Sequence, residues 1–436
     1  MALDMQKLMT RLETSDTHSH MGRIDKIIGM MVESVGPPTF IGEVCKIHPN
    51  DGGNPTLAEV VGFRENKVLL MPYEELAGVA PGCLVEGLRK RLTVPVSDNL
   101  IGRTIDALGN PIDGGPKISD TIRIDVDSPY SNPLSRPRIN EKVHFGVKPI
   151  DGLLSIGKGQ RMGIFAGSGV GKSTLLGMIA RNIHVDINVI ALVGERGREV
   201  LEFIERDLGP EGMARSVLVV ATSDQPAMLR RKCPMVATAI AEYFRDQGKD
   251  VLLMMDSLTR FAMAQREIGL ASGEPPVARG YTPSIYSAMP KLLERTGNFE
   301  VGSITGIYTV LVEGDDTNEP ISDTVRGIID GHIILSRKIA ARNHYPAIDI
   351  LGSVSRLMND IVEPSQVETA NELRALMAIY EANYDLISIG AYKKGSNPAL
   401  DRAIQRMDKI NAFLQQKTTD KFEYNETVAL MEESVL

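Results

Sequence analysis

The chain has 436 residues, 43% hydrophobic and 24% charged, without low-complexity tracts or short-period repeats. It reads as a globular protein of about three domains, which excludes disordered, fibrous and repeat classes. Lys+Arg 48 against Asp+Glu 56 leaves a net charge of −8, tryptophan is absent and phenylalanine numbers only 10, so no basic stripe or base-stacking platform stands out and nucleic acid is not an expected partner.

In chain order, LDMQKLMTRL (3–12) puts Leu3, Leu8, Met9 and Leu12 on one helical face. That suits either a frayed terminus or a short amphipathic segment docking on a partner or a lipid surface. Residues 1–20 lack the basic start and apolar run of a secretion signal. No stretch reaches the ~18 consecutive apolar residues of a membrane span. A cytoplasmic protein is expected, with Cys45, Cys83 and Cys233 as scattered reduced thiols rather than a disulfide framework or metal site.

From 22 to 95 short β-type runs recur: GRIDKIIGMMVES, GEVCKIHP, AEVVGFRENKVLLMPY, GCLVEGL and RLTVPV. Turn residues such as NDGGNP (50–55) and APG (80–82) separate them. This spacing predicts a small closed β-barrel. IGRTIDALGNPIDGG (101–115) leads into a proline-marked connector, SPYSNPLSRPR (128–138).

From 145 to 340 apolar strand-like runs alternate with helical patterns. The predicted strands are 162–166, 189–194, 217–223, 251–256, 303–313 and 332–336. Between them, REVLEFIERDL (198–208) repeats Val200, Phe203, Ile204 and Leu208 at helical spacing. Near-continuous apolar strands predict a mostly parallel sheet buried on both faces. Residues 365–436 read as two helices followed by a charged tail, a third and smaller unit.

The chemistry concentrates at GIFAGSGVGKST (163–174). A strand enters a glycine turn and an apolar helix leaves it, the context of a nucleotide phosphate loop. Gly167, Gly169 and Gly171 let backbone amides face phosphates, with Ser168 and Val170 between them. The helix start adds its positive end. Lys172 reaches the β- and γ-phosphates as a point charge, Ser173 offers a hydroxyl to Mg²⁺, and Thr174 completes the run. Nucleoside triphosphate binding follows.

VLLMMD (251–256) ends in Asp256, an acid that a cation would satisfy. It suits the Mg²⁺ shell, a helix N-cap, or both. Glu195 in GERGRE (194–199) follows a strand's carboxyl end, where ligands of parallel sheets gather, and suits a general base or a salt bridge to its flanking arginines. Transition-state charge calls for an arginine. Spacing offers Arg260 and Arg356 and does not choose between them.

Taken together, AGSGVGKST, GERGRE, VLLMMDSLTR, GYTPS (280–284), LLERTG (292–297), GDDTNEPISDTVRGIIDGHIILSR (314–337), YPAIDI (345–350) and SVSR (353–356) resemble the flagellar and type III secretion export ATPase family, relatives of the catalytic subunit of rotary ATP synthases. The resemblance covers residues 20 to 436. IIGMMVESVGP and the AGSG loop resemble the flagellar branch; an injectisome ATPase or a synthase subunit is the alternative. The resemblance implies an α/β fold: a RecA-like P-loop ATPase core (97–363) after an N-terminal β-barrel (21–96), with a C-terminal α-helical domain (364–436) and a regulator-binding segment at 1–20. It implies a homohexamer using ATP and Mg²⁺, with nucleotide between neighbours. Arg356 then matches an arginine finger acting on the next subunit. Arg196 and Arg260 match positions lining the γ-phosphate side, and Tyr345 an aromatic stacking on adenine. Implied partners are a dimeric regulator, a coiled-coil stalk protein, export chaperones and substrates, and an export gate at the inner face of the cytoplasmic membrane.

Overall fold

The computed structural model describes residues 20–127, 132–312 and 319–436. The predicted amphipathic segment 3–12 and most of GDDTNEP lie outside these residues, as does part of the 128–138 connector. The chain divides into two compact units, one built on residues up to Leu92 and one on the remainder, apart from two short excursions.

The first unit holds a closed six-stranded barrel. Its strands are His20–Ile28, Met31–Val35, Val44–His48, Thr56–Arg64, Lys67–Pro72 and Leu84–Gly87. All pairings are antiparallel. Ile24, Val32, Cys45, Ile47, Ala58, Val60, Val68, Leu70, Cys83 and Val85 fill the interior. Closure removes the exposed edges that an open sheet this small would present. Glu43 is fully buried, yet satisfied: it accepts from the Arg89 amide and from Thr39 Oγ1, each at 2.8 Å. The run RLTVPV, expected in the barrel series, lies outside it. Thr93–Val96 pairs instead with Ile122–Asp125.

The second unit is built on a sheet whose main path runs Ile348–Ser355, Gly331–Leu335, Arg161–Ala166, Ser303–Leu311, Asp250–Asp256, Ile187–Glu195, Ser216–Thr222, Thr104–Asp106. Every pairing along this path is parallel except the one between Gly331–Leu335 and Ile348–Ser355. The six predicted strands are all present, within two residues at each end. The two outer strands were not expected. TID (104–106) is too short to show a period, and IDILGSVS (348–355) is broken by polar residues because it lies at the sheet's edge.

The predicted helix 198–208 divides into an α-helical stretch, Gly197–Glu202, and a π-helical turn, Phe203–Leu208. Phe203 and Leu208 are both buried and stand five residues apart. The i→i+5 bonding of a π turn puts such a pair on one face, where an α-helix would turn them apart.

The C-terminal residues form helices Pro364–Ala382, Tyr384–Ser388, Pro398–Leu414 and Tyr424–Val435. The last replaces the expected tail. Glu423 and Glu426 make a capping box at its start, and Met431 and Val435 are buried. These two join Ala370, Leu373, Phe413 and Leu414 in the same hydrophobic core as the sheet residues Met162, Ile164 and Ile190. Among the described residues no helix is long and apolar enough to cross a membrane.

Candidate active site

The phosphate loop joins strand Arg161–Ala166 to helix Lys172–Asn182. Gly169 and Gly171 take φ of 79° and 89°, the left-handed region that a Cβ disfavours. Among the described residues, no amide from Gly167 to Gly171 donates a backbone hydrogen bond outside helices and strands. Unspent donors at a helix start form an anion cradle. The Ser173 and Thr174 hydroxyls have no partner among the described residues either.

Three adjacent strands converge on this loop. Asp256 closes Asp250–Asp256, is 4% exposed, and accepts from Thr309 Oγ1 at 2.7 Å. Thr309 belongs to Ser303–Leu311, the strand between the acid and the loop. Lys172 hydrogen-bonds Asp256 and lies 3.5 Å from Glu195 Oε1. Glu195 is brought there by a bulge: register against Ser216–Thr222 slips between Val193 and Glu195. Bulges of this kind re-aim side chains beside active sites. Gly194, with φ of 69°, makes the bulge possible, since a Cβ there would stand 3.1 Å from that of Arg260.

The charges are not balanced. Two carboxylates share one ammonium in a partly buried site, where an unpaired charge costs several kcal/mol. The surplus falls on Glu195. Burial, then the charge of Asp256, raise its pKa to about 7, against the opposing pull of Lys172. Lys172 moves upward too: burial disfavours its charge, but Asp256 and Glu195 outweigh it. Glu199 moves down, because hydrogen bonds to Glu195 and Arg196 outweigh its desolvation.

The arginines separate. Arg260 lies on the first turn of helix Leu258–Ser272, its stem against Gly194, and its Nε is buried without a hydrogen-bond partner. Arg196 is 74% exposed and pairs with Glu199 at 2.8 Å. Arg356 is far away. It follows Ser355, which pairs with Gly331 at the amino end of its strand, whereas the loop leaves the carboxyl end after Ala166, beside Leu335. Four residues of strand separate those levels, roughly 13 Å. Arg356 instead donates to the Arg326 carbonyl at 3.4 Å. Tyr345 is 42% exposed and lies beside the loop: a Cβ on Gly171 would be 3.4 Å from its ring.

Sequence reasoning missed Thr309, a hydroxyl inside an apolar strand that pointed to a buried polar partner. It missed Arg337, whose Nη2 would stand 2.9 Å from a Cβ on Gly167. It also missed Glu199, for which no local signal exists.

Residues 146–355 match the nucleotide-binding domain of the ATP synthase alpha/beta family, residues 24–89 its beta-barrel domain, and residues 362–433 the T3SS EscN ATPase C-terminal domain. The chain is 54% identical over 431 residues to the flagellum-specific ATP synthase of Bacillus subtilis, covering 99% of this chain and 97% of that one. It superposes on the assembled ATPase EscN of the enteropathogenic E. coli type III secretion system with a TM-score of 0.91 at 46% identity, covering 95% of this chain and all of the other. EscN in complex with its central stalk EscO gives 0.88 at 45% identity, with the same coverage. With the phosphate loop, the parallel sheet and the barrel in place, the chain belongs to the family of flagellum-specific ATP synthases and type III secretion ATPases, and it is an ATPase.

Proposed function

We propose that the chain hydrolyses ATP in a homohexameric ring that energises flagellar protein export, with each site completed by the neighbouring copy. The observation carrying this is the separation of Arg356 from its own phosphate loop, while the other charged groups converge on that loop. An arginine that cannot reach the phosphates of its own copy is free to serve those of the next.

In this reading the loop from Gly167 to Thr174 cradles the triphosphate, Lys172 binds the β- and γ-phosphates, and Tyr345 packs on the base. Glu195 takes the proton of the attacking water as the bond from the γ-phosphorus to the bridging oxygen breaks and ADP leaves. Arg260, with its unspent Nε, and Arg196 face the γ-phosphate side. Ser173, with its unpartnered hydroxyl, and the buried Asp256 fit Mg²⁺, an oxygen-seeking ion. When bound, that ion neutralises phosphate charge.

The assembled EscN structures support the ring, and the EscO complex supports a central stalk as partner, whose coiled-coil character rests on the family resemblance. The dimeric regulator and peripheral membrane association rest on the family resemblance, with residues 1–20 as the contact segment; the chaperones, meeting the helical C-terminal domain, and the export gate rest on that resemblance too. Deletion in the source organism, scored for flagella and for effector secretion, distinguishes the flagellar client set from that of an injectisome.

Specific activity is expected to rise with protein concentration, because a lone subunit lacks its finger. A flat line down to dilutions where light scattering finds only monomer contradicts a shared site.

A second expectation concerns pH. Glu195 must be ionised to accept a proton, so kcat/KM should climb with a midpoint of about 7. The stability sign is opposite. A carboxyl whose folded pKa is raised from 4.5 binds its proton more tightly in the native state, so this group's contribution falls as pH rises from 4.5 to about 7. A pH–rate profile flat between 5 and 8 refutes the assignment.

A further inference from the structure

A second group of ligating side chains lies at the far end of the phosphate-loop helix. His144 follows the short strand Lys142–Val143, His184 stands two residues past helix Lys172–Asn182, and Glu423 caps the final helix, Tyr424–Val435. One ligand atom from each lies within 4.8 Å of the other two. The backbone fixes the histidines side by side. His184 N donates to the His144 carbonyl at 2.9 Å, and the two rings meet edge to face with centroids 4.4 Å apart.

His144 carries the argument. Its side chain is 10% exposed, and neither buried ring nitrogen completes a well-aligned hydrogen bond, although the Phe422 carbonyl and Asp151 lie against the ring. A neutral imidazole has a donor and an acceptor, and a buried ring that satisfies neither fully requires a reason. Nε2 lies 3.3 Å from Asp151 Oδ2. Asp151 is itself held by the amides of Phe145 and Gly146, each at 2.8 Å. A carboxylate behind an imidazole is the arrangement that orients metal-binding histidines. One of the two ring nitrogens lies within 4.8 Å of the ligand atoms of His184 and Glu423. His184 and Glu423 are exposed, so His184 is free to turn, while Glu423 can turn only by loosening its cap. Glu423 also accepts from its own helix start. Glu423 brings negative charge to the cluster, against the ammonium of Lys142, which sits 3.9 Å over the Tyr424 ring.

We propose that His144, His184 and Glu423 bind one divalent transition ion of the zinc type. Two imidazoles and one carboxylate form a borderline-soft donor set, which suits zinc rather than magnesium or calcium. Zinc draws its ligands to about 2.0–2.2 Å, so the cluster must close slightly, and rotation of His184 and Glu423 supplies that closure. The bound ion ties the end of the phosphate-loop helix to the last helix of the chain, and its binding energy adds to the stability of that docking. The site is separate from the phosphate chemistry. The helix has 11 residues, so the site lies roughly 16 Å from Lys172 along its axis.

The test uses the full chain, treated with EDTA, dialysed and free of nucleotide. Calorimetric titration with zinc chloride is expected to show one ion per chain, and the melting temperature to rise with zinc. His184→Ala and Glu423→Gln should each weaken zinc binding about tenfold or more, on the scale of ligand-shell losses. His184→Ala should melt like the parent in EDTA, Glu423→Gln slightly lower because its carboxylate caps the last helix, and both should hydrolyse ATP normally in zinc-free buffer. The proposal is overturned if no saturable binding appears up to about 1 mM zinc. It is equally overturned if either variant binds zinc as the parent does, since that places the ion elsewhere, for example at Glu195 and Asp256.

Discussion

An Arg356→Ala chain is expected to bind ATP like the parent and to hydrolyse it about a thousandfold more slowly, the lower range of effects for an arginine that stabilises transferring phosphoryl charge. The ground-state complex needs only the cradle, which this substitution leaves untouched. The transition state spreads charge over the γ-phosphoryl oxygens, and a guanidinium reaching in from the neighbour meets it there. Because Arg356 lies at the opposite end of the sheet from its own loop, the defect should be complemented in trans. Mixing Arg356→Ala with Lys172→Ala, a copy whose cradle is dead, should return part of the turnover, since some seams then pair an intact cradle with an intact finger. Silence in mixed rings verified by mass photometry removes the shared site. Normal turnover by Arg356→Ala alone removes the finger.

Replacing Glu195 by glutamine should lower kcat at least about 100-fold, the scale of general-base effects, while ATP binding persists. Glutamine keeps the size of the side chain and the bulge that aims it, but it takes no proton from water. It also relieves the surplus negative charge around Lys172, so nucleotide affinity should hold or tighten. The rising limb of the pH profile with its midpoint of about 7 should vanish from any residual activity. Fluorescent-nucleotide titration and phosphate release measure the two halves of this expectation. Parent-like turnover in Glu195→Gln assigns the base elsewhere, and lost binding makes Glu195 a structural residue of the cradle.

Local pattern alone was enough for the phosphate loop, the six core strands and the alternation that predicts a buried parallel sheet. A strand–glycine turn–helix run such as MGIFAGSGVGKST states its conformation through glycines and apolar residues that sit next to each other in the chain. The barrel was legible for the same reason: regular short β runs between turns. Glu195 and Asp256 were nameable because both stand at the carboxyl ends of apolar strands.

Tertiary structure decided what depends on distance. The pairing of Lys172 with both Asp256 and Glu195 arises because adjacent parallel strands bring their carboxyl ends to the same side of the sheet, beside the loop. That convergence sets the raised pKa of Glu195, which no run of residues announces. Arg260 and Arg356 looked equivalent as sequence. The sheet separates them, placing one against Gly194 and the other a strand's length from the loop. The charged tail became a helix because Met431 and Val435 find a core made by residues far back in the chain. Side-chain chemistry and backbone preference are written locally. Which charges meet, and which stay apart, is a property of register and packing that exists only once the chain has folded.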